Sequence, residues 1–106
     1  MSDALNHAEL SRELASALGW PHAEAWGDEE CALVKDYDMV GHWFDYRDPD
    51  VCLPLIKWLG SEYRMFFWYC SPTSLAGPRW SCSGRGIVAP ALEEAVARAV
   101  IAVRKG

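Results

Sequence analysis

The segment from Pro90 to Lys105 constrains the fold more than any other. Leu92, Val96, Ala99, Val100 and Val103 recur at helical spacing and make one continuous apolar face. Pro90 suits the first helical position, Glu93 and Glu94 suit the positive N-terminal end, and Arg104 and Lys105 suit the negative C-terminal end. A helix with such a face must bury it, so the rest of the chain has to supply a layer for it to pack on. A second amphipathic helix is predicted over Ala4–Leu18, with Leu10, Leu14, Ala17 and Leu18 on its apolar face. Asp3 is placed to cap its start and Gly19 to end it in a left-handed turn. Pro21 then forbids continuation.

Between these two helices the pattern changes. Short strands are predicted at Cys31–Lys35 and His42–Tyr46, because the Asp and Gly content of residues 20–50 opposes a long helix. Asp48-Pro49-Asp50 predicts the start of a third helix, running to about Leu59 and stopping at Gly60, with Val51, Leu55, Trp58 and Leu59 as its buried stripe. Pro54 weakens that helix, since it has no N–H to donate. Arg64–Cys70 is almost continuous in apolar and aromatic residues and is predicted to be a buried strand. Ser71–Pro78 follows as a hairpin loop, Arg79–Ser83 as an alternating strand, and Ser83-Gly84-Arg85-Gly86 as a flexible stretch. The expected fold is α+β: three helices packed on one small antiparallel sheet of two to four strands, a single layer-type sandwich. A chain of 106 residues is a normal size for one such domain.

Charge and cysteine usage narrow the function. Residues 1–62 carry thirteen acids against four bases, a net −9, while residues 63–106 carry two acids against six bases, a net +4. An acidic first half lacks the Lys and Arg that displace counterions from nucleic-acid phosphates, so no direct nucleic-acid partner is expected. The longest apolar run, Met65–Cys70, is far too short to span a membrane, and no membrane partner is expected. The N-terminus shows neither the basic start nor the apolar stretch of an export signal, which points to the cytosol and to free thiols at Cys31, Cys52, Cys70 and Cys82.

No constellation of residues demands catalysis. The cysteines and His7, His22 and His42 are scattered rather than paired at zinc-ligand spacing. Asp36, Asp38, Asp45, Asp48 and Asp50 do not match a calcium loop, which needs a glycine turn and a closing glutamate. Cys31 lies beside Glu29 and Glu30, whose charge opposes thiolate formation. Ser83-Gly84-Arg85-Gly86 lacks the strand, helix and lysine of a phosphate loop. No cofactor or metal is therefore expected.

Several features align with a known pattern. An opening helix ends in Leu18-Gly19-Trp20, and Trp43-Phe44 precedes a helix led by Asp50 and containing Trp58. A strand pair carries Trp68 and Trp80, and Ala89-Pro90-Ala91 leads into an alanine-rich terminal helix. This order resembles the small ABA-sandwich family encoded by bacteriophages and prophages. Pro54 and the acidic stretch Asp28–Glu30 depart from it. The resemblance implies a phage origin and a bacterial host cytosol, and it carries over no catalytic residues.

The best functional candidate is the segment in which aromatics alternate with carboxylates. Trp26, Asp28, Glu29, Glu30, Asp36, Tyr37, Asp38, Asp45 and Tyr46 suit a surface that presents aromatic anchors within an acidic rim. The expectation is a non-enzymatic accessory protein that binds a basic host protein, in its sharpest form an inhibitor of a host defence or nucleic-acid-handling complex. Two other classes remain open: a small metal protein or enzyme built on Cys31, His42 and the nearby aspartates, and a structural protein that self-associates through its tryptophan-rich sheet.

Overall fold

The structure, a computed structural model, describes residues 6–70, 79–83 and 87–105. The elements are α1 (His7–Ala17), β1 (His22–Trp26), β2 (Cys31–Lys35), β3 (Gly41–Phe44), α2 (Pro49–Tyr63), β4 (Phe67–Cys70), β5 (Arg79–Cys82), β6 (Val88–Ala89) and α3 (Leu92–Lys105). The α+β class is as expected. The strands, however, form two three-stranded antiparallel sheets, β1-β2-β3 and β4-β5-β6, rather than one. Each strand pairs with its sequence neighbours, which keeps the closing loops short, and α2 separates the two sets. The chain divides into two compact units, residues 1–48 and 49–106, each with its own sheet.

In the first unit, the Asp3 cap expected for α1 lies outside the described residues. The helix starts at His7, and Asn6 caps it by accepting the Glu9 N–H at 2.8 Å. Leu10 and Leu14 are buried as expected, together with Ala8, Ser11 and Ala15. Gly19 ends the helix at φ +98°: its N–H reaches the Ser16 carbonyl and that of Trp20 reaches Ala15, each at 3.1 Å. This is a Schellman closure, which needs a left-handed residue at that position. The strand predicted at Cys31–Lys35 is β2, and β3 covers the first part of the predicted His42–Tyr46 strand. Strand β1 had no counterpart in the sequence reading. On β1 and β2 the inner sheet face is made of small residues, Ala23, Ala25 and the fully buried Ala32 and Val34, so α1 can pack closely on these two strands, while β3 adds the buried Phe44 to the same face.

In the second unit, α2 runs through Gly60 to Tyr63, with Pro54 inside it. Near its last turn the Trp58 ring meets Tyr63 of the same helix edge-on at 5.2 Å, and the Arg104 guanidinium of α3 adds a tertiary contact 5.2 Å from the same indole. The stop is Arg64 at φ +54°, followed by Met65, whose N–H reaches back to the Leu59 carbonyl. Leu59 is fully buried and Cys52 is buried beside the expected stripe. A Cβ at Gly60 would meet the Phe66 ring at 3.8 Å and the Met65 carbonyl at 3.9 Å, ordinary contacts. Gly60→Ala should therefore raise unfolding free energy by roughly 0.5–1 kcal/mol, read by urea denaturation.

The aromatic run 64–70 is not a buried strand. Its strand is the shorter β4, paired among the described residues with β5 alone, and Phe66, Trp68 and Tyr69 are each at least half exposed. Successive strand residues point to opposite faces, so Trp68 and Tyr69 leave an exposed ring on each side of β4. The loop predicted at Ser71–Pro78 and the glycine-rich stretch after Ser83 lie outside the described residues. Helix α3 buries Ala95, Val96, Ala97, Ala99 and Val100 and packs on α2, β5 and β6, while Leu92 and Val103 are half-buried. Glu94 and Arg98 pair one turn apart at 3.1 Å. No helix among the described residues is long and apolar enough to cross a membrane.

Candidate functional site

Register decides which side chains share a face of the first sheet. Trp26 lies opposite Cys31, Glu24 opposite Leu33, and Leu33 opposite Trp43. Directly opposed residues point to the same side, so Glu24, Trp26, Cys31, Leu33 and Trp43 occupy the face turned away from α1. Trp26 and Trp43 stand on the two outer strands, and their rings meet edge-to-face at 5.6 Å and 88°. They must therefore meet above β2. Cys31, directly opposite Trp26, is only 8% exposed on this face, while Trp26 and Trp43 are themselves 42% and 59% exposed.

The acidic residues do not form one rim. Strand β2, five residues long, holds the β1–β2 connection and the β2–β3 hairpin about 16 Å apart. Asp28, Glu29 and Glu30 are exposed at the first end, ordered by a turn of 3-10 helix (Gly27–Glu29) and by Arg47, whose Nη2 donates to the Glu30 carbonyl at 3.1 Å. Tyr37 and Asp38 are exposed at the hairpin tip, beside Met39 and Val40.

Two of the candidate carboxylates turn inward. Asp36 Oδ1 accepts the N–H groups of Asp38 and Val40 at 2.9 and 3.0 Å, shaping the tip around Met39 at φ +64°. It acts on its own backbone, as aspartates do in tight turns. Asp36→Ala should cost about 1–2 kcal/mol of stability in chemical denaturation while leaving the Trp26–Trp43 face intact.

Asp45 is bound by Arg47 through the backbone N–H and Nε on Oδ1, at 2.9 and 3.0 Å, and Nη2 on Oδ2 at 2.9 Å. Partial burial works against the charge of Asp45, but the Arg47 hydrogen bonds outweigh it and hold the carboxyl below its ordinary value of 3.8. A depressed carboxyl stabilises the fold above its unfolded pKa, and this contribution is lost as pH falls through the lower folded value. Because the pair is about one-third exposed, the effect stays under about 1 kcal/mol. Asp45→Asn should flatten the acid limb of the stability profile below about pH 4, measured by thermal melts across pH.

Tyr46 belongs to the core rather than to a docking face: it is 3% exposed, its hydroxyl lies 2.7 Å from His7 Nδ1, and its N–H donates to the buried Ser11 hydroxyl at 3.1 Å. The nine sequence candidates thus separate. Trp26, Asp28, Glu29 and Glu30 gather at one end of the outer face, Tyr37 and Asp38 at the other, and Asp36, Asp45 and Tyr46 hold the scaffold. The sequence reading left out Trp43, Leu33 and Glu24. Alternation along Gly41–Phe44 was the available signal, since it separates an outward Trp43 from an inward, buried Phe44.

Cys31 and His42 do not form a reactive pair. His42 is opposite Val34 and so lies on the α1 side of the sheet, its ring 5.9 Å from Trp20, whereas Cys31 faces the other way. Burial, then the charges of Asp45 and Glu29, push the Cys31 thiol up, only partly offset by Arg47. Burial likewise raises the thiols of Cys52 and Cys82. Among the described residues no three of His, Cys, Asp and Glu converge as a metal-binding group. Comparison with protein-family models, with curated proteins and with solved structures finds no match to this chain.

Proposed function

We propose that this protein is a binding module that docks a basic protein on the outer face of its first sheet. The observation that carries this reading is the exposed, edge-to-face Trp26–Trp43 pair with three exposed carboxylates, Asp28, Glu29 and Glu30, at its end. Tryptophan dominates binding hot spots because it buries much area at little conformational cost. Carboxylates at the margin set charge preference and encounter rate. The resemblance to phage ABA-sandwich proteins supports a non-enzymatic accessory role in a bacterial cytosol. On this reading the three carboxylates occupy a basic surface that otherwise holds phosphates, and so inhibit a host defence or nucleic-acid-handling complex.

The test combines capture with measurement on the purified pair. Tagged protein should retain a basic bacterial protein at low salt and release it at high salt, since exposed charges are screened beyond about 8–10 Å at physiological ionic strength. Against the purified partner, Asp28→Lys, Glu29→Lys and Glu30→Lys together should lower affinity at least tenfold and flatten its salt dependence. An affinity unchanged by all three reversals would remove the reading.

A second reading, self-association, has its own observation. Strand β4 is an edge strand with Trp68 and Tyr69 about half exposed, the kind of edge that pairs with another chain. Light scattering that stays monomeric at high protein concentration would exclude it.

A further inference from the structure

The second unit contains an apolar pocket of about 390 Å³ that docking on the first sheet does not use. Ile56, Lys57 and Gly60 of α2 line it, with Phe66, Trp80 of β5, and Leu92 at the start of α3. Its volume is within the usual range for small-molecule sites, roughly 300–1,000 Å³.

Three details give the pocket a chemical preference. Gly60 supplies its floor: with no side chain there, the space beside the Phe66 ring stays open, and a Cβ would already reach that ring at 3.8 Å. Phe66 supplies a wall that is 60% exposed, on a backbone paired with Ser83: its N–H donates to Ser83 Oγ at 2.9 Å and its carbonyl accepts the Ser83 N–H at 3.0 Å. With the backbone already held, only the two side-chain torsions of the ring remain to be ordered on binding. Lys57 is the one charged residue in the described lining, and no ion pair holds it among the described residues. A hydrocarbon surface with a single ammonium at its margin complements an apolar body bearing a single negative charge.

We propose that this pocket binds a small amphiphilic carboxylate, an aromatic or medium-chain fatty acid. Its apolar body lies against Phe66, Trp80, Ile56 and Leu92, and its carboxylate meets the Lys57 ammonium.

The probe is 1-anilinonaphthalene-8-sulfonate, an aromatic anion whose fluorescence reports burial, with decanoate as competitor. One saturable site on the folded protein, from which decanoate displaces the dye, is the expected result. Gly60→Met puts a good helix former into α2 and fills the space beside Phe66, so it should weaken the dye at least tenfold. Phe66→Ala removes an exposed wall and should do the same without touching the core. Lys57→Gln should weaken decanoate about tenfold, the loss of one charge-assisted hydrogen bond, and leave decanol unaffected. Trp26→Ala with Trp43→Ala should leave dye binding unchanged. The proposal is overturned by absence of saturable binding, by a site that survives both Gly60→Met and Phe66→Ala, or by equal losses of decanol and decanoate in Lys57→Gln.

Discussion

Leu14→Ala should destabilise the protein by about 3–5 kcal/mol, the upper part of the range for buried leucines. Leu14 is fully buried on the face of α1 that packs against β1 and β2. The loss has two parts, the transfer energy of the deleted methyl groups and the cost of the cavity they leave. The second part depends on how far the neighbours can collapse, and here they cannot collapse far. The facing strands present Ala23, Ala25 and Ala32, which have no rotamers with which to fill a void, and Val34, which is stiff at χ1. A domain of this size is stable by about 5–15 kcal/mol in total, so the substitution removes a large share. Urea denaturation gives the free energy, and hydrogen exchange should show the β1–β3 amides losing protection by the same amount. A loss below about 1 kcal/mol would mean that α1 does not seat on this sheet as described.

Local signals carried the elements that read correctly. Helix α3, the glycine closure of α1 at Gly19 and strand β2 all depend on periodicity or on one residue's backbone preference, and both are written in adjacent positions. What failed depended on distant partners. Gly60 looks like a helix stop, yet α2 runs past it to Tyr63, with Arg104 of α3 lying over the Trp58 ring; tertiary contact outweighs a propensity of about 1 kcal/mol. The aromatic run before Cys70 looks buried, yet β4 is an edge, and nothing in its own residues states how many neighbours it has. The division of the described strands into two sheets is equally non-local.

The candidate site was legible as a composition but not as a geometry. Asp36, Asp45 and the Asp28–Glu30 run are alike in sequence. Loop conformation separates them, turning Asp36 onto its own backbone and Asp45 onto Arg47 while the other three stay exposed. Trp43 was hidden for the opposite reason. It adjoins Phe44, and a pair of neighbouring aromatics invites one assignment for both, although a strand sends them to opposite faces.

That outward Trp43 underlies the larger effect on function. Trp26→Ala with Trp43→Ala should lower affinity for the basic partner more than 100-fold, since hot-spot tryptophans each contribute about 2 kcal/mol or more and every 1.4 kcal/mol is tenfold. Stability should fall by only about 1 kcal/mol, because both rings are substantially exposed and lose chiefly their contact with each other. The two effects are separable, so calorimetric binding measured well below the melting temperature reports docking rather than unfolding. A second readout needs no partner. Because Trp26 stands directly opposite the buried Cys31, removing both indoles should open this face, and labelling of Cys31 by a disulfide reagent should quicken at least tenfold, while Cys52 and Cys82 react as slowly as before. Bound partner should slow Cys31 labelling in the native protein further, because it covers the same face. Faster labelling with unchanged affinity would keep the geometry of the tryptophan pair and discard its role in docking. Lost affinity with unchanged labelling would place the thiol elsewhere than beneath the rings.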